Sequence, residues 1–200
     1  MWKLFGGLYL GWGIGANDSA KIFAPAIATN TIRFRTAILF ICVFVMAGSI
    51  LQGYTLFDGY SFGGSEKADN DTLLREATIA TNAAAFAVMM ATIFGIPVSS
   101  SQAAVGALVG VAAVRLGWSG IDYAPIKKMG ICWVITPVAG ALIAYGCYWG
   151  LRALLRRFMK SMNAQQRFLR YGIIIIGCYE AFALGANNVV VTTAPFYQAG

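Results

Sequence analysis

Six runs of predominantly apolar residues divide this 200-residue chain, at about 4–29, 36–57, 77–96, 103–116, 129–151 and 171–195. Most approach or exceed the roughly 20 residues a helix needs to cross hydrocarbon. Charged residues make up 12% of the chain and hydrophobic residues 58%. A soluble domain carries about twice that charged share. The expected fold class is therefore all-α, a polytopic membrane protein. The third run ends at Pro97-Val98-Ser99-Ser100-Ser101-Gln102. Runs three and four either cross fully or dip into the membrane and return, and both choices leave their flanks on one side.

The charges orient the spans. The net charge is +7, and six of the basic residues lie in 152–170. Leu151, Leu154, Leu155, Phe158, Met159 and Met162 recur there at helical spacing, beside a stripe of Arg152, Arg156 and Lys160. That pattern predicts a helix at the lipid interface on the cytoplasmic side. Arg33 and Arg35 then fall on the same side, and the acidic loop 58–76 falls outside. The basic charge thus reports topology, and no nucleic acid partner is expected. The N-terminal run leads straight into a motif and shows no separate cleavable signal.

Histidine is absent, which excludes histidine catalysis and histidine metal sites. Cys42, Cys132, Cys147 and Cys178 lie in apolar runs without a CxxC pair and read as packing residues. No P-loop, nucleophile elbow or zinc spacing is present. No enzyme is expected.

One segment occurs twice. Gly15-Ala16-Asn17-Asp18-Ser19-Ala20-Lys21-Ile22-Phe23-Ala24-Pro25 returns as Gly185-Ala186-Asn187-Asn188-Val189-Val190-Val191-Thr192-Thr193-Ala194-Pro195, with Gly, Ala, Asn, Ala and Pro in register. The copies lie in the first and sixth runs, five crossings apart, and so run in opposite directions. Opposed copies are the mark of an inverted repeat, and a polar break in each predicts broken helices around a midplane site. Asn17, Asp18 and Asn187 are expected to face one shared cavity. A buried helix start offers free N–H donors and a positive dipole end to an oxyanion. Asp18 is the natural ligand for a coupling cation, sodium included. A charge at mid-bilayer costs roughly 2.5–3.5 kcal/mol or more, so it rarely lacks a role. Ser99, Ser100 and Ser101 add hydroxyls beside the proline break. Glu180, inside the sixth run, is a candidate coupling group. Tyr9 and Tyr179 and the five tryptophans read as anchors or packing.

These residues resemble the inorganic phosphate transporter family, the sodium- or proton-coupled phosphate permeases that also include sulfate permeases. The family signature GANDVANA occurs once in each half and is similar to residues 15–22 and 185–192. The family's PVSSTH segment resembles Pro97 to Gln102, and Trp133-Val134-Ile135-Thr136-Pro137 resembles the span before its basic loop. The resemblance covers nearly the whole chain. It implies that Asn17 and Asp18 form the first substrate and ion site, Ser99, Ser100 and Ser101 the hydroxyl cluster and Asn187 the second site; Asn188 beside it is a further substrate-site candidate, and Asp18 and Asn187 are the coupling-ion candidates among them. It also implies that residues 1–200 are one transmembrane transporter domain, an N-terminal portion of a longer carrier.

The departures are specific. Lys21 stands at a family asparagine, Asn188 at the second motif's aspartate, Val191 at its later asparagine and Gln102 at the histidine. The first two make the site about two charge units more positive. Lys21, three residues after Asp18, is within pairing reach on a helix and joins the substrate-site candidates. Its alternative is snorkelling to an interface. The Lys21 ammonium is expected to substitute for one coupling cation and reduce dependence on sodium. With one carboxylate fewer, discrimination against sulfate weakens, because phosphate near neutral pH still carries a proton to donate.

The expected function is secondary active transport of inorganic phosphate, coupled to Na+ or H+, by alternating access in the plasma membrane. The alternatives are a sulfate or other tetrahedral oxyanion permease and a passive anion channel. No cofactor is expected beyond Na+ as coupling ion, and a homo-oligomer stays open.

Overall fold

The computed structural model describes residues 5–53, 70–96 and 98–197. They form six α-helices: α1 Phe5–Ala28, α2 Phe34–Gln52, α3 Asn70–Ile93, α4 Ser100–Leu116, α5 Tyr123–Phe158 and α6 Met162–Tyr197, with a 3-10 turn at Trp118–Gly120. The six apolar runs each became a helix. Most of the acidic loop, Pro97 and Trp2 lie outside the described residues. Four helices are long and apolar enough to cross a membrane: α2, α3, α5 and α6. The chain is an all-α, polytopic membrane protein.

The chain divides into two compact units, residues 1–121 with 176–200, and Asp122–Ile175. In the second unit, Asp122 caps α5 by accepting from the Ala124 N–H at 2.9 Å. Toward its C-terminal end, Trp149 packs edge-on to Tyr145 and Tyr148, and the Arg152 guanidinium lies 5.0 Å over its ring. That aromatic-and-arginine cluster suits a membrane–water boundary. The stretch 152–170 is not an interfacial helix of its own. It is the end of α5, a break at 159–161 and the start of α6. The apolar stripe that suggested a separate helix is instead continuous with the two long helices on either side.

In the first unit α1 is central. Positions 6, 13 and 17 of α1 lie against Thr81 and Asn82, Val88, and Thr92 of α3, so these helices run parallel. Gly7 and Gly11 approach Thr192, and Phe23 covers Gly177, so α1 and α6 run antiparallel. Their packing buries Leu10, Ile14, Ala84, Ala85, Val88, Ala104 and Val191 in one apolar cluster. α2 packs on α6 so closely that a Cβ on Gly48 would strike the Phe182 carbonyl, and one on Gly185 the Val45 carbonyl. Small residues permit this backbone approach where lipid supplies no hydrophobic drive between helices.

The helix breaks are not at the motifs. α1 is helical through Gly15–Ala16–Asn17–Asp18, and α6 through its copy. Isolated glycine and flanking small residues tolerate helix, and Pro25 costs α1 only the one bond its missing N–H would have given the Lys21 carbonyl. α1 and α3 instead end in matching left-handed turns. Thr31 N–H reaches Ala26 O at 2.8 Å around Asn30 (φ 54°), and Ile96 N–H reaches Ala91 O at 2.8 Å around Gly95 (φ 68°). The second turn tips the α3–α4 hairpin. Its helices are antiparallel, since Glu76 near the start of α3 pairs with Arg115 near the end of α4. Asn17 is level with the last turn of α3, so the tip stands beside the middle of α1, which continues about 10 Å past Lys21.

Candidate functional site

The tip of that hairpin and the middle of α1 build a polar cluster. Asn17 and Asp18 are 8% and 9% exposed, and Ser100 is 3% exposed. The Asn17 side-chain amide donates to Thr92 Oγ1 at 3.0 Å, and the Thr92 hydroxyl donates to Val88 O at 2.8 Å. Ser100 Oγ donates to Asp18 Oδ2 at 2.6 Å. Lys21 Nζ donates to Asn17 Oδ1 at 2.7 Å, Asp18 Oδ1 at 2.8 Å and the Val98 carbonyl at 3.1 Å. An ammonium has three N–H donors, and all three are used.

Local structure explains each position. Asn17, Asp18 and Lys21 sit at i, i+1 and i+4, which brings the Lys21 head back over the preceding turn. It reaches toward mid-helix, away from the C-terminal end of α1 to which snorkelling would carry it. Ser99 caps α4, its hydroxyl accepting from the Gln102 N–H at 3.4 Å. The Val98 carbonyl stands outside the helical ladder and is open to Lys21. Ser100, the first residue of α4, is buried toward Asp18, while Ser101 is half-buried and Gln102 exposed. Thr92 and the Val98 carbonyl carry no motif signal. A sequence hint for Thr92 is its spacing from Thr81, three turns along the same face of α3.

Both oxygens of Asp18 are therefore engaged, one by a positive charge and one by a hydroxyl. The pair is electrically neutral, and each carboxylate oxygen accepts one hydrogen bond. Among the described residues no group of three or more acidic, cysteine or histidine side chains could hold a metal ion.

The second motif is placed differently. A cavity of about 170 Å³ lies between α1, α2 and α6, lined by Gly15, Ser19, Ser49, Gly185, Asn188 and Thr192 among others. Ser49 Oγ donates to the Gly185 carbonyl at 3.1 Å on its wall. Asn188 reaches this cavity, whereas Asn187 and Glu180 are exposed. The expected single cavity with Asn17, Asp18 and Asn187 is not what the described residues form. One step along a helix turns a side chain by about 100°, and on α6 that step brings Asn188 to the cavity instead of Asn187.

Comparison with known proteins places this architecture. The chain is 27% identical over 190 residues to a putative phosphate permease of Haemophilus influenzae, covering 92% of this chain and 45% of that protein. It is 29% identical over 201 residues to the sulfate permease CysP of Bacillus subtilis, covering 96% of this chain and 53% of that protein. It is 29% identical over 159 residues to the chloroplastic inorganic phosphate transporter 2-1 of Arabidopsis thaliana, covering 78% of this chain and 26% of that protein. The chain thus spans about half or less of the length of these relatives. Its fold matches a solved structure titled "The sodium-dependent phosphate transporter", with a TM-score of 0.81 at 20% identity, over 99% of this chain and 66% of that one. The relatives are named transporters and permeases, not enzymes. A model of the phosphate transporter family matches residues 14–199, and the chain belongs to that family.

Proposed function

We propose that this chain forms part of a secondary transporter that carries inorganic phosphate across the plasma membrane by alternating access, driven by a cation gradient. The observation that carries this reading is the meeting of the two motif copies. α1 and α6 pass antiparallel with Gly15 and Gly185 on the walls of one cavity, while the polar cluster around Asp18 lies on another flank of α1 at the same depth. Antiparallel copies of one motif side by side are what an inverted repeat produces, and an inverted repeat supplies two related half-structures that rock about a central site. In this reading Asn17, Asp18, Lys21, Ser99, Ser100 and Ser101 around the hairpin tip and Asn188 on the cavity wall form the substrate region. Asp18, Asn187 and Glu180 are the coupling candidates. The family and the relatives' names support phosphate as cargo.

A second reading, sulfate, has its own support. Lys21 pairs with Asp18 at 2.8 Å and offsets the negative charge that would otherwise face the substrate. A site without a free carboxylate does not repel sulfate by that route. Uptake of labelled phosphate and labelled sulfate into proteoliposomes, with and without imposed cation gradients, tests both. Gradient-dependent phosphate accumulation is expected. Flux that only equilibrates, whatever the gradient, would replace the carrier with a passive pore.

A further inference from the structure

We propose that the Lys21 ammonium is a resident cation, holding by covalent tether the position that a bound sodium ion would take, so that this site neither binds nor requires sodium. Three oxygens converge on Nζ: the Asn17 amide oxygen, one Asp18 carboxylate oxygen and the Val98 carbonyl, at 2.7, 2.8 and 3.1 Å. One is anionic, one is a side-chain carbonyl and one is a main-chain carbonyl at a helix break. That all-oxygen donor set suits a hard cation, and its single anionic member matches a single positive charge. Each oxygen is fixed by separate structure. Asn17 is tied to Thr92, Asp18 to Ser100, and Val98 is held next to the cap of α4. The cradle therefore does not depend on Lys21 for its shape.

Charge balance at Asp18 points the same way. Asp18 is 9% exposed. An ionised carboxylate so placed needs a compensating positive charge. A mobile ion supplies it only when bound, whereas Lys21 supplies it always. The Lys21 side chain is 45% exposed and the Asp18 side chain 11%, so the lysine meets a mostly buried carboxylate from an accessible side. The Lys21 head group and a sodium ion cannot share the cradle. The consequence for transport rests on the reading above; the binding claim does not.

The test follows thermal unfolding of the purified protein as sodium chloride replaces choline chloride at constant ionic strength. Wild type is expected to show no sodium-specific stabilisation. Lys21→Asn and Lys21→Gln, which empty the cradle, are expected to gain a saturable one, raising the unfolding temperature by about 2–6 °C well above the sodium midpoint. Adding Asp18→Asn should remove that gain. Sodium-specific stabilisation of wild type that Asp18→Asn abolishes overturns the proposal. So does a variant that elutes as wild type does and gains nothing. Should neither variant fold, uptake by wild type decides. Rates within about twofold with and without sodium support a resident cation, and a tenfold loss without sodium refutes it. Absence of uptake in every buffer would remove the transport reading and leave the unfolding result to judge Lys21.

Discussion

The motif in α1 and its copy in α6 share glycine, alanine and asparagine in register, yet the structure gives them opposite tasks. The α1 copy carries charge. Asn17 and Asp18 are buried, and Lys21 closes a hydrogen-bonded cluster with the α3–α4 tip. The α6 copy carries contact. Gly185 lies under the Val45 carbonyl, and Asn188 is uncharged where the α1 copy has Asp18. The same glycine shows the split most simply. A Cβ on Gly15 would meet nothing within 4 Å, and one on Gly185 would overlap α2 backbone. A shared fingerprint thus fixes where two helices meet without fixing what each contributes there.

The largest effect is expected at the paired glycines. Gly185→Ala should destabilise by about 1–3 kcal/mol because backbone, unlike a side-chain tip, cannot swing aside, and Gly185→Leu should abolish folded yield. Gly15→Ala should be neutral or stabilising by up to about 1 kcal/mol, the helix-propensity difference. Size-exclusion profiles and unfolding temperatures of the three variants check this. Equal behaviour of the two alanine variants would remove the asymmetry.

The sequence showed where the helices run because a bilayer leaves apolar runs little choice. It placed Asp18 and Ser100 in one region through their motifs. It could not rank Ser99, Ser100 and Ser101, since which of them caps α4 and which turns toward Asp18 depends on where the helix starts. Nor could it choose Asn188 over Asn187, which differ by one step of helix rotation. The Val98 carbonyl was illegible because backbone atoms carry no residue identity. The continuity of α1 and α6 through their motifs was missed because helix-weakening residues were read as helix-breaking ones. The left-handed turn at Gly95, followed by Pro97, was the actual break signal.

Asp18→Ala is next in size. It strips the acceptor from Ser100 and leaves Lys21 without its counter-charge. Uptake should fall at least about tenfold, and stability by about 1–3 kcal/mol. Ser101→Ala, one residue beyond the buried hydroxyl, should change uptake less than about twofold. A larger effect at Ser101 than at Ser100 would shift the cluster's centre away from Asp18.

Asn188→Asp makes the two copies alike in charge. It puts a carboxylate on the cavity wall with no lysine at the matching position, since Val191 stands there. Sulfate should then compete severalfold less well against phosphate uptake, because a free carboxylate accepts from a protonated phosphate and repels sulfate. Competition measured across a series of sulfate concentrations checks it, and an unchanged ratio would separate Asn188 from substrate choice.

The smallest effect is expected far from both copies, at the other end of the hairpin. Arg115 Nη1 lies 3.2 and 3.1 Å from the two oxygens of Glu76. One nitrogen serves both oxygens, so the planar two-nitrogen fork that strengthens arginine–carboxylate pairs is not used. The partners are 22% and 23% exposed, which lets solvent weaken the attraction further. Glu76→Gln keeps the shape and removes one charge, and should cost about 0.5–1 kcal/mol. Because the clasp lies away from the Asp18 end of the hairpin, uptake per folded molecule should stay within about twofold. A larger loss of uptake at full folded yield would mean that the hairpin's spread at its base sets the geometry at its tip.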